Sequence, residues 1–258
     1  MKAEERQALM AELCEKLRKM RLSAMADALA AQMGDPNSEL WSGDGRIADI
    51  VRAEWESRND KKFLRLLRKA SLRYPDASID DSIDDPERLL DAASVRALAE
   101  CGWVAEGRNL LVTGSAGTGK TYLVNALCVS AMRMSLTVKY DKASNLIHEV
   151  RRADLQGLHE EKIREFAAAD VVVIDDFGLM DLSTEMCRGL FEIIDSREGR
   201  KSTVVISQLP VSSWYGLFSD RTYADSCMDR LIHDAYRLEF RGRNMRNGNP
   251  AKQATDKR

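Results

Sequence analysis

Long apolar runs are missing from this sequence of 258 residues, and none approaches the roughly 18 needed to cross a bilayer. Met1-Lys2-Ala3-Glu4-Glu5 predicts the start of a charged helix rather than a secretory leader, so a cytoplasmic chain without membrane association is expected. Cysteine supplies no scaffold. Cys14, Cys101, Cys128, Cys187 and Cys227 are odd in number, scattered and never in C-x-x-C spacing, which speaks against a disulfide frame or a zinc site. Histidine is scarce: His148, His159 and His233 have no partners at metal-ligand spacing, and no Ser-His-Asp set accompanies them. An excess of one charge is lacking too. The formal net charge of -2 makes no global case for nucleic acid, so any polyanion contact must come from local clustering.

What is present describes a globular chain. An apolar fraction of 44% beside a charged fraction of 31% excludes a disordered composition, and the length suits one large domain, or one domain plus a smaller appendage. From Asn109 to Thr121 the chain reads N-L-L-V-T-G-S-A-G-T-G-K-T, and Gly114, Gly119, Lys120 and Thr121 fill the fixed positions of G-x-x-x-x-G-K-[ST]. A predicted strand, Leu110 to Thr113, enters this turn, and a predicted helix with Val124, Ala126, Leu127, Val129 and Met132 leaves it. Glycines allow the backbone to approach an anion closely, so the N–H groups of Ser115, Ala116, Gly117, Thr118, Gly119 and Lys120 can converge on phosphates at a helix N-terminus. Lys120 is expected to reach the β- and γ-phosphates, and the Thr121 hydroxyl to take one position on Mg²⁺.

Ahead of this loop the spacing of Leu9, Leu13, Leu17, Met20, Ala24 and Ala28 predicts one amphipathic helix over 8–33. Gly34-Asp35-Pro36-Asn37 and Trp41-Ser42-Gly43-Asp44-Gly45 are turns, after which helical spacing resumes at Ile47, Ile50, Val51 and Trp55. The stretch 58–73 carries Arg58, Lys61, Lys62, Arg65, Arg68, Lys69 and Arg73 against Asp60 alone. It reads either as a solvated cationic face or as a surface for the phosphate backbone of DNA. Tyr74-Pro75 ends that helix, residues 76–85 form an acidic, aperiodic linker, and a helix follows from Pro86 to about Glu100. The expected organisation is a helical module over 1–75, the linker 76–85, a nucleotide domain over 86–245 and a basic flexible tail over 246–258.

Beyond the loop, strands are predicted at Leu136–Tyr140, Val171–Ile174, Thr203–Ser207 and Arg237–Phe240, with helices at 143–152, 184–198 and 224–235 between them. Such alternation gives an α/β class with a parallel sheet flanked by helices, beside a small all-helical N-terminal domain. Asp175 closes the apolar strand Val171–Ile174 and is the candidate Mg²⁺ carboxylate, while Asp176 could orient or deprotonate the attacking water. Gln208, after the fourth strand, reads either as an amide beside the γ-phosphate or as an ordinary hydrogen-bonded loop residue. Arg230, in Asp229-Arg230-Leu231, is a candidate arginine finger in cis or from a neighbouring subunit, or else a surface ion pair. Asp176-Phe177-Gly178 spells a kinase magnesium motif, yet no H-R-D-x-x-x-x-N precedes it, and no Asn-Lys-x-Asp guanine reader follows. ATP is therefore favoured over GTP.

The ordered set Asn109–Thr121, Val171-Val-Val-Ile-Asp-Asp-Phe-Gly-Leu179, Ser207-Gln-Leu-Pro210 with Trp214, and Asp229-Arg-Leu231 resembles the IstB-type transposition helper ATPases of the IS21 family. These are similar to bacterial helicase loaders of the AAA+ class. Met25-Ala26-Asp27-Ala28-Leu29 and Arg65-Leu-Leu-Arg-Lys-Ala70 extend the likeness over nearly the whole chain. The resemblance implies a P-loop AAA+ fold, ATP-dependent self-assembly into a homo-oligomer on duplex DNA through sequence-independent contacts, and recruitment or stimulation of the transposase of the same element. It assigns Lys120 and Thr121 to phosphate and Mg²⁺, Asp175 to the metal, Asp176 to the water, Gln208 to the first sensor position and Arg230 to a trans-acting finger. Gln208 departs from the Asn common in the class, and Asp176 from the Glu. Arg246 is a candidate second sensor. Rival readings are a helicase loader serving a replicative helicase, a P-loop small-molecule kinase, and a DNA-binding adaptor using ATP only as a switch.

Overall fold

The computed structural model describes residues 3–83 and 91–242, which divide into two compact units between Arg65 and Leu66. In the first unit the helix expected over 8–33 is two helices, α1 (Ala3–Lys19) and α2 (Ser23–Gly34). The break falls where Arg21 adopts φ 61°. Its N–H donates to Arg18 O at 2.9 Å, and the next N–H, of Leu22, donates to Leu17 O at 2.9 Å. This pair of bonds closes a helix through one left-handed residue, a position usually held by glycine. Glu54, on α3 (Gly43–Ala70), starts the second helix, because its Oε2 accepts from the N–H groups of Ala24 at 3.0 Å and Met25 at 3.2 Å. An ionised carboxylate is favourable against that helix end. The hydrogen bond from Arg58, 2.8 Å long, and then the bonds from Met25 and Ala24 hold the Glu54 carboxyl below its ordinary range. Arg58, the first cation of the basic stretch, is thereby committed to the fold.

In the second unit the acidic stretch expected to be aperiodic contains a short helix, α4 (Ile79–Ile83). Buried Ser82 donates back to Ser78 O at 3.0 Å, and Asp81 accepts from the Tyr122 hydroxyl at 2.9 Å, contacts that no local periodicity announces. Of the helix expected over 86–100, α5 (Ala92–Ala99) lies among the described residues, capped by Asp91. After α6 (Gly102–Ala105) the chain alternates as β1 (Leu110–Gly114), α7 (Lys120–Arg133), β2 (Val138–Lys142), α8 (Ala143–Leu155), α9 (His159–Ala168), β3 (Val171–Phe177), α10 (Thr184–Asp195), β4 (Ser202–Ser207), α11 (Arg221–Ile232) and β5 (Tyr236–Phe240). The five strands are parallel, in the order β2-β3-β4-β1-β5.

Alternation within the strands explains why both faces are covered. Leu111, Val172, Ile174 and Val205 join one core with Leu146, Phe166, Leu190, Trp214 and Leu231 from the helices and the turn that follow. Their neighbours Leu110, Val112, Val171, Val173, Val204 and Ile206 are equally buried, as are Leu123, Val124 and Leu127 of α7. Strand residues buried on both faces produce the unbroken apolar runs seen in the sequence. At the strands' N-terminal ends sits Arg197, 1% exposed. Its guanidinium donates to the carbonyls of Phe166, Ala169 at 2.8 Å, Asp170 at 3.4 Å and Ser202 at 2.6 Å, and to the Thr203 hydroxyl at 3.2 Å. The helix expected to run to 198 ends at Asp195, and the turn after it points this side chain inward. Burial pushes the Arg197 pKa down to about 10, so the group remains a cation at neutral pH.

Candidate nucleotide site

Parallel pairing brings the C-terminal ends of all five strands to one edge, the place where ligands bind in open α/β sheets. The turn after β1 crosses that edge with positive φ at Gly114, Gly117 and Gly119, and α7 begins directly at Lys120. Gly114 cannot carry a side chain, since a Cβ there would lie 2.3 Å from Phe240 O of the neighbouring β5. The Lys120 ammonium folds back over the turn and donates to Gly114 O at 2.7 Å and Ser115 O at 2.8 Å. Thr118, 1% exposed, braces the same turn by donating to Ser115 O at 2.9 Å.

β4 lies between β1 and β3, so the end of β4 separates the turn from the carboxylates. Asp175 is 1% exposed and accepts from the Thr121 hydroxyl at 3.1 Å, the Tyr140 hydroxyl at 2.5 Å and the N–H of Asp176 at 2.7 Å. Among the described residues it has no ion-pair partner, and a buried carboxylate of this kind is suited to a cation. Burial, and then the bond to Asp175, raises the Tyr140 hydroxyl pKa well above its usual value. Asp176 takes a left-handed backbone, φ 55°, and its Oδ2 is ion-paired with Lys142 at 2.8 Å. That pairing, first, raises the Lys142 pKa.

A cavity of about 450 Å³, large enough for a nucleotide's polyphosphate, is lined by Ala116, Gly117, Gly119, Lys120, Thr121, Asp175, Asp176 and Gln208, and by Arg73 and Tyr74. The residues present fit Mg²⁺ and ATP. Thr121 and Asp175 could share the metal, and no group of three or more His, Cys, Asp or Glu among the described residues competes to cage it. Gln208 is exposed at the mouth. Arg230 is not brought to this cavity: it pairs with Asp195 at 2.9 Å and Glu198 at 3.0 Å and lies over the Phe191 ring. Within the chain Arg230 thus sits in an ion-pair network, the alternative reading of this residue. Arg246 and the basic tail lie outside the described residues.

Tyr140, Lys142 and Arg73 are the site residues that sequence reasoning missed. The strand expected over 136–140 is shifted by two residues to 138–142, and only in that register does Lys142 stand opposite Asp175. An alternating Tyr-x-Lys at the end of an edge strand is the signal that could have found them, once the β2-β3 pairing is known.

A family profile described as IstB-like ATP binding protein matches residues 15–253. An insertion sequence ATP-binding protein of Sinorhizobium fredii is 33% identical over 233 residues, 90% of this chain and 94% of that protein. The insertion sequence IS1162 ATP-binding protein of Pseudomonas fluorescens is 35% identical over 197 residues, 76% of this chain and 85% of that one. Among solved structures, the DnaC helicase loader superposes with a TM-score of 0.56 at 20% identity, covering 66% of this chain and 99% of that chain. AMPPCP-bound DnaA from Aquifex aeolicus does so with a TM-score of 0.55 at 19% identity, covering 70% and 56%. The two structures share the fold, a P-loop AAA+ parallel sheet flanked by helices. On the family match and the insertion-sequence relatives, the chain belongs to the IstB-like ATP-binding proteins.

Proposed function

We propose that this protein is a Mg²⁺-dependent ATPase that assembles on duplex DNA when ATP is bound and recruits or stimulates the transposase of its own insertion sequence. The observation that carries the ATPase reading is the hydroxyl of Thr121 set 3.1 Å from buried Asp175, across from a glycine turn that can wrap phosphates. Bound Mg²⁺ would neutralise charge on the β- and γ-phosphates. Lys120 would exchange its carbonyl partners for phosphate oxygens, Thr121 and Asp175 would hold the metal, and Asp176 would orient the attacking water on leaving Lys142. Gln208 stands where an amide can meet the terminal phosphate, and Arg230 serves only if a neighbouring subunit draws it from Asp195 and Glu198.

The transposition context rests on the insertion-sequence relatives, which are closer in sequence than the helicase loaders that share the fold. In the basic stretch Lys61, Lys62, Arg65, Arg68 and Lys69 are exposed, and we assign them to sequence-independent phosphate contacts within an N-terminal DNA-binding module. The test is ATP turnover with and without duplex DNA, read beside electron microscopy of the same mixtures. Lys120→Ala is expected to abolish binding, turnover and assembly; Asp176→Asn is expected to bind and assemble while losing at least ~10²-fold in turnover. An Asp176→Asn variant hydrolysing at the wild-type rate removes Asp176 from the mechanism. Assembly that ignores ATP removes the coupling.

A further inference from the structure

Arg73 is the last cation of the basic stretch that the sequence groups with DNA contact, yet it lines the nucleotide cavity with Lys120, Asp175, Asp176 and Gln208. The contacts that put it there are specific. After α3 ends at Ala70, Ser71 turns the chain with φ 53°. The N–H of Tyr74 then donates to Asn125 Oδ1 at 2.9 Å, and Asn125 Nδ2 donates to Thr121 O at 2.7 Å. Asn125 is fully buried, where such bonds are strong and costly to break. The rings of Tyr74 and Tyr122 meet at 5.6 Å, and the N–H of Ser78 reaches the Tyr122 hydroxyl at 3.4 Å. Residues 74–78 are thus tied to the first turns of α7, and Arg73 extends from that anchored segment.

The charges around it are otherwise engaged. Lys142 is paired with Asp176, and the Lys120 ammonium with carbonyl oxygens. Arg73 forms no ion pair with a described residue and lies 5.5 Å from the Tyr74 ring centre. Its charge opposes the rise in pKa that burial and Asp175 impose on Tyr140, and the rise that Asp176 imposes on Lys142. Arg73 lines the same cavity as both carboxylates, Asp175 and Asp176, and Gln208. In the ATP reading these are the groups assigned to the metal, the water and the terminal phosphate, none of which a diphosphate would engage in full.

We propose that Arg73 is a nucleotide-binding residue whose planar guanidinium donates to the terminal phosphate and sets a preference for triphosphate over diphosphate, rather than a DNA contact. This rests on the ATP reading of the same cavity. The experiment is calorimetric titration of Mg-ATP and Mg-ADP into wild type, Arg73→Ala, Arg73→Lys and Lys120→Ala, beside the salt dependence of duplex binding. Arg73→Ala should weaken ATP ~10–100-fold, the worth of one charge-assisted hydrogen bond, while ADP changes less than ~3-fold. Arg73→Lys should recover part of the loss. The salt slope should be unchanged in Arg73→Ala but fall by about 3–4 when Lys61, Lys62, Arg65 and Arg68 are replaced together. Equal losses for ATP and ADP, no loss, or a flattened slope in Arg73→Ala would overturn the role given to Arg73 alone. Undiminished ATP affinity in Lys120→Ala would instead remove the site assignment beneath it.

Discussion

Replacing Arg197 with methionine removes five hydrogen bonds from the base of the sheet at nearly constant volume. Three of its four carbonyl acceptors keep a backbone donor, since Ala169 N–H also reaches Phe166 O, Ser202 N–H reaches Asp170 O, and the parallel β3–β4 register gives Ser202 O the N–H of Val172. The carbonyl of Ala169 is then stranded, at about 1–3 kcal/mol, and the other three lose one of two partners, while relief from burying the guanidinium charge returns part of the loss. A net destabilisation of ~1–3 kcal/mol is expected. Urea unfolding followed by tryptophan fluorescence suits the question, because Trp103 and Trp214 are buried in the unit concerned while Trp41 and Trp55 are exposed in the other. Arg197→Lys should fall between, since one ammonium cannot reach every acceptor. Nucleotide affinity of the folded variant should equal wild type, because Arg197 lies at the end of the sheet opposite the phosphate turn. A midpoint shift worth less than ~0.5 kcal/mol would refute the idea that these carbonyls depend on this side chain.

Gly114→Ala should destabilise the ATPase unit by ~2–4 kcal/mol, since the new methyl meets Phe240 O in a backbone conformation unfavourable to alanine; an unchanged melting midpoint would contradict that contact. The first unit should lose stability in acid. Glu54 has a folded pKa below its unfolded one, so its contribution is complete above the ordinary glutamate pKa and disappears as pH falls through the lowered value. A pH series of helical signal on wild type and Glu54→Gln checks this, and equal acid sensitivity in the two would exclude Glu54 as the source.

Signals that are contiguous in the chain were legible. The phosphate turn is legible because eight consecutive residues perform one task, and β3 because four buried β-formers end on a charge. Arg21 was not, since its left-handed turn uses an arginine where glycine would have marked the break. Arg197 sits in a charged, helical-looking run, and only a turn after Asp195 reveals that it points inward. Tyr140, Lys142 and Arg73 depend on which strand lies beside β3 and on where Asn125 holds Tyr74. Such partners are 35 to 51 residues apart for the bonds at Tyr140 and Tyr74, beyond the reach of any periodicity.

Lys120 bonded to Gly114 O and Ser115 O has a thermodynamic consequence for the turn it closes. A phosphate arriving there replaces two carbonyl oxygens around an ammonium that is already satisfied, so the binding enthalpy gained at Lys120 is a difference between acceptors rather than a whole new bond. The backbone, meanwhile, is already braced by Thr118 and has little freedom left to lose. Nucleotide capture at this turn should therefore be governed less by ordering of the chain than by exchange of one set of oxygens for another.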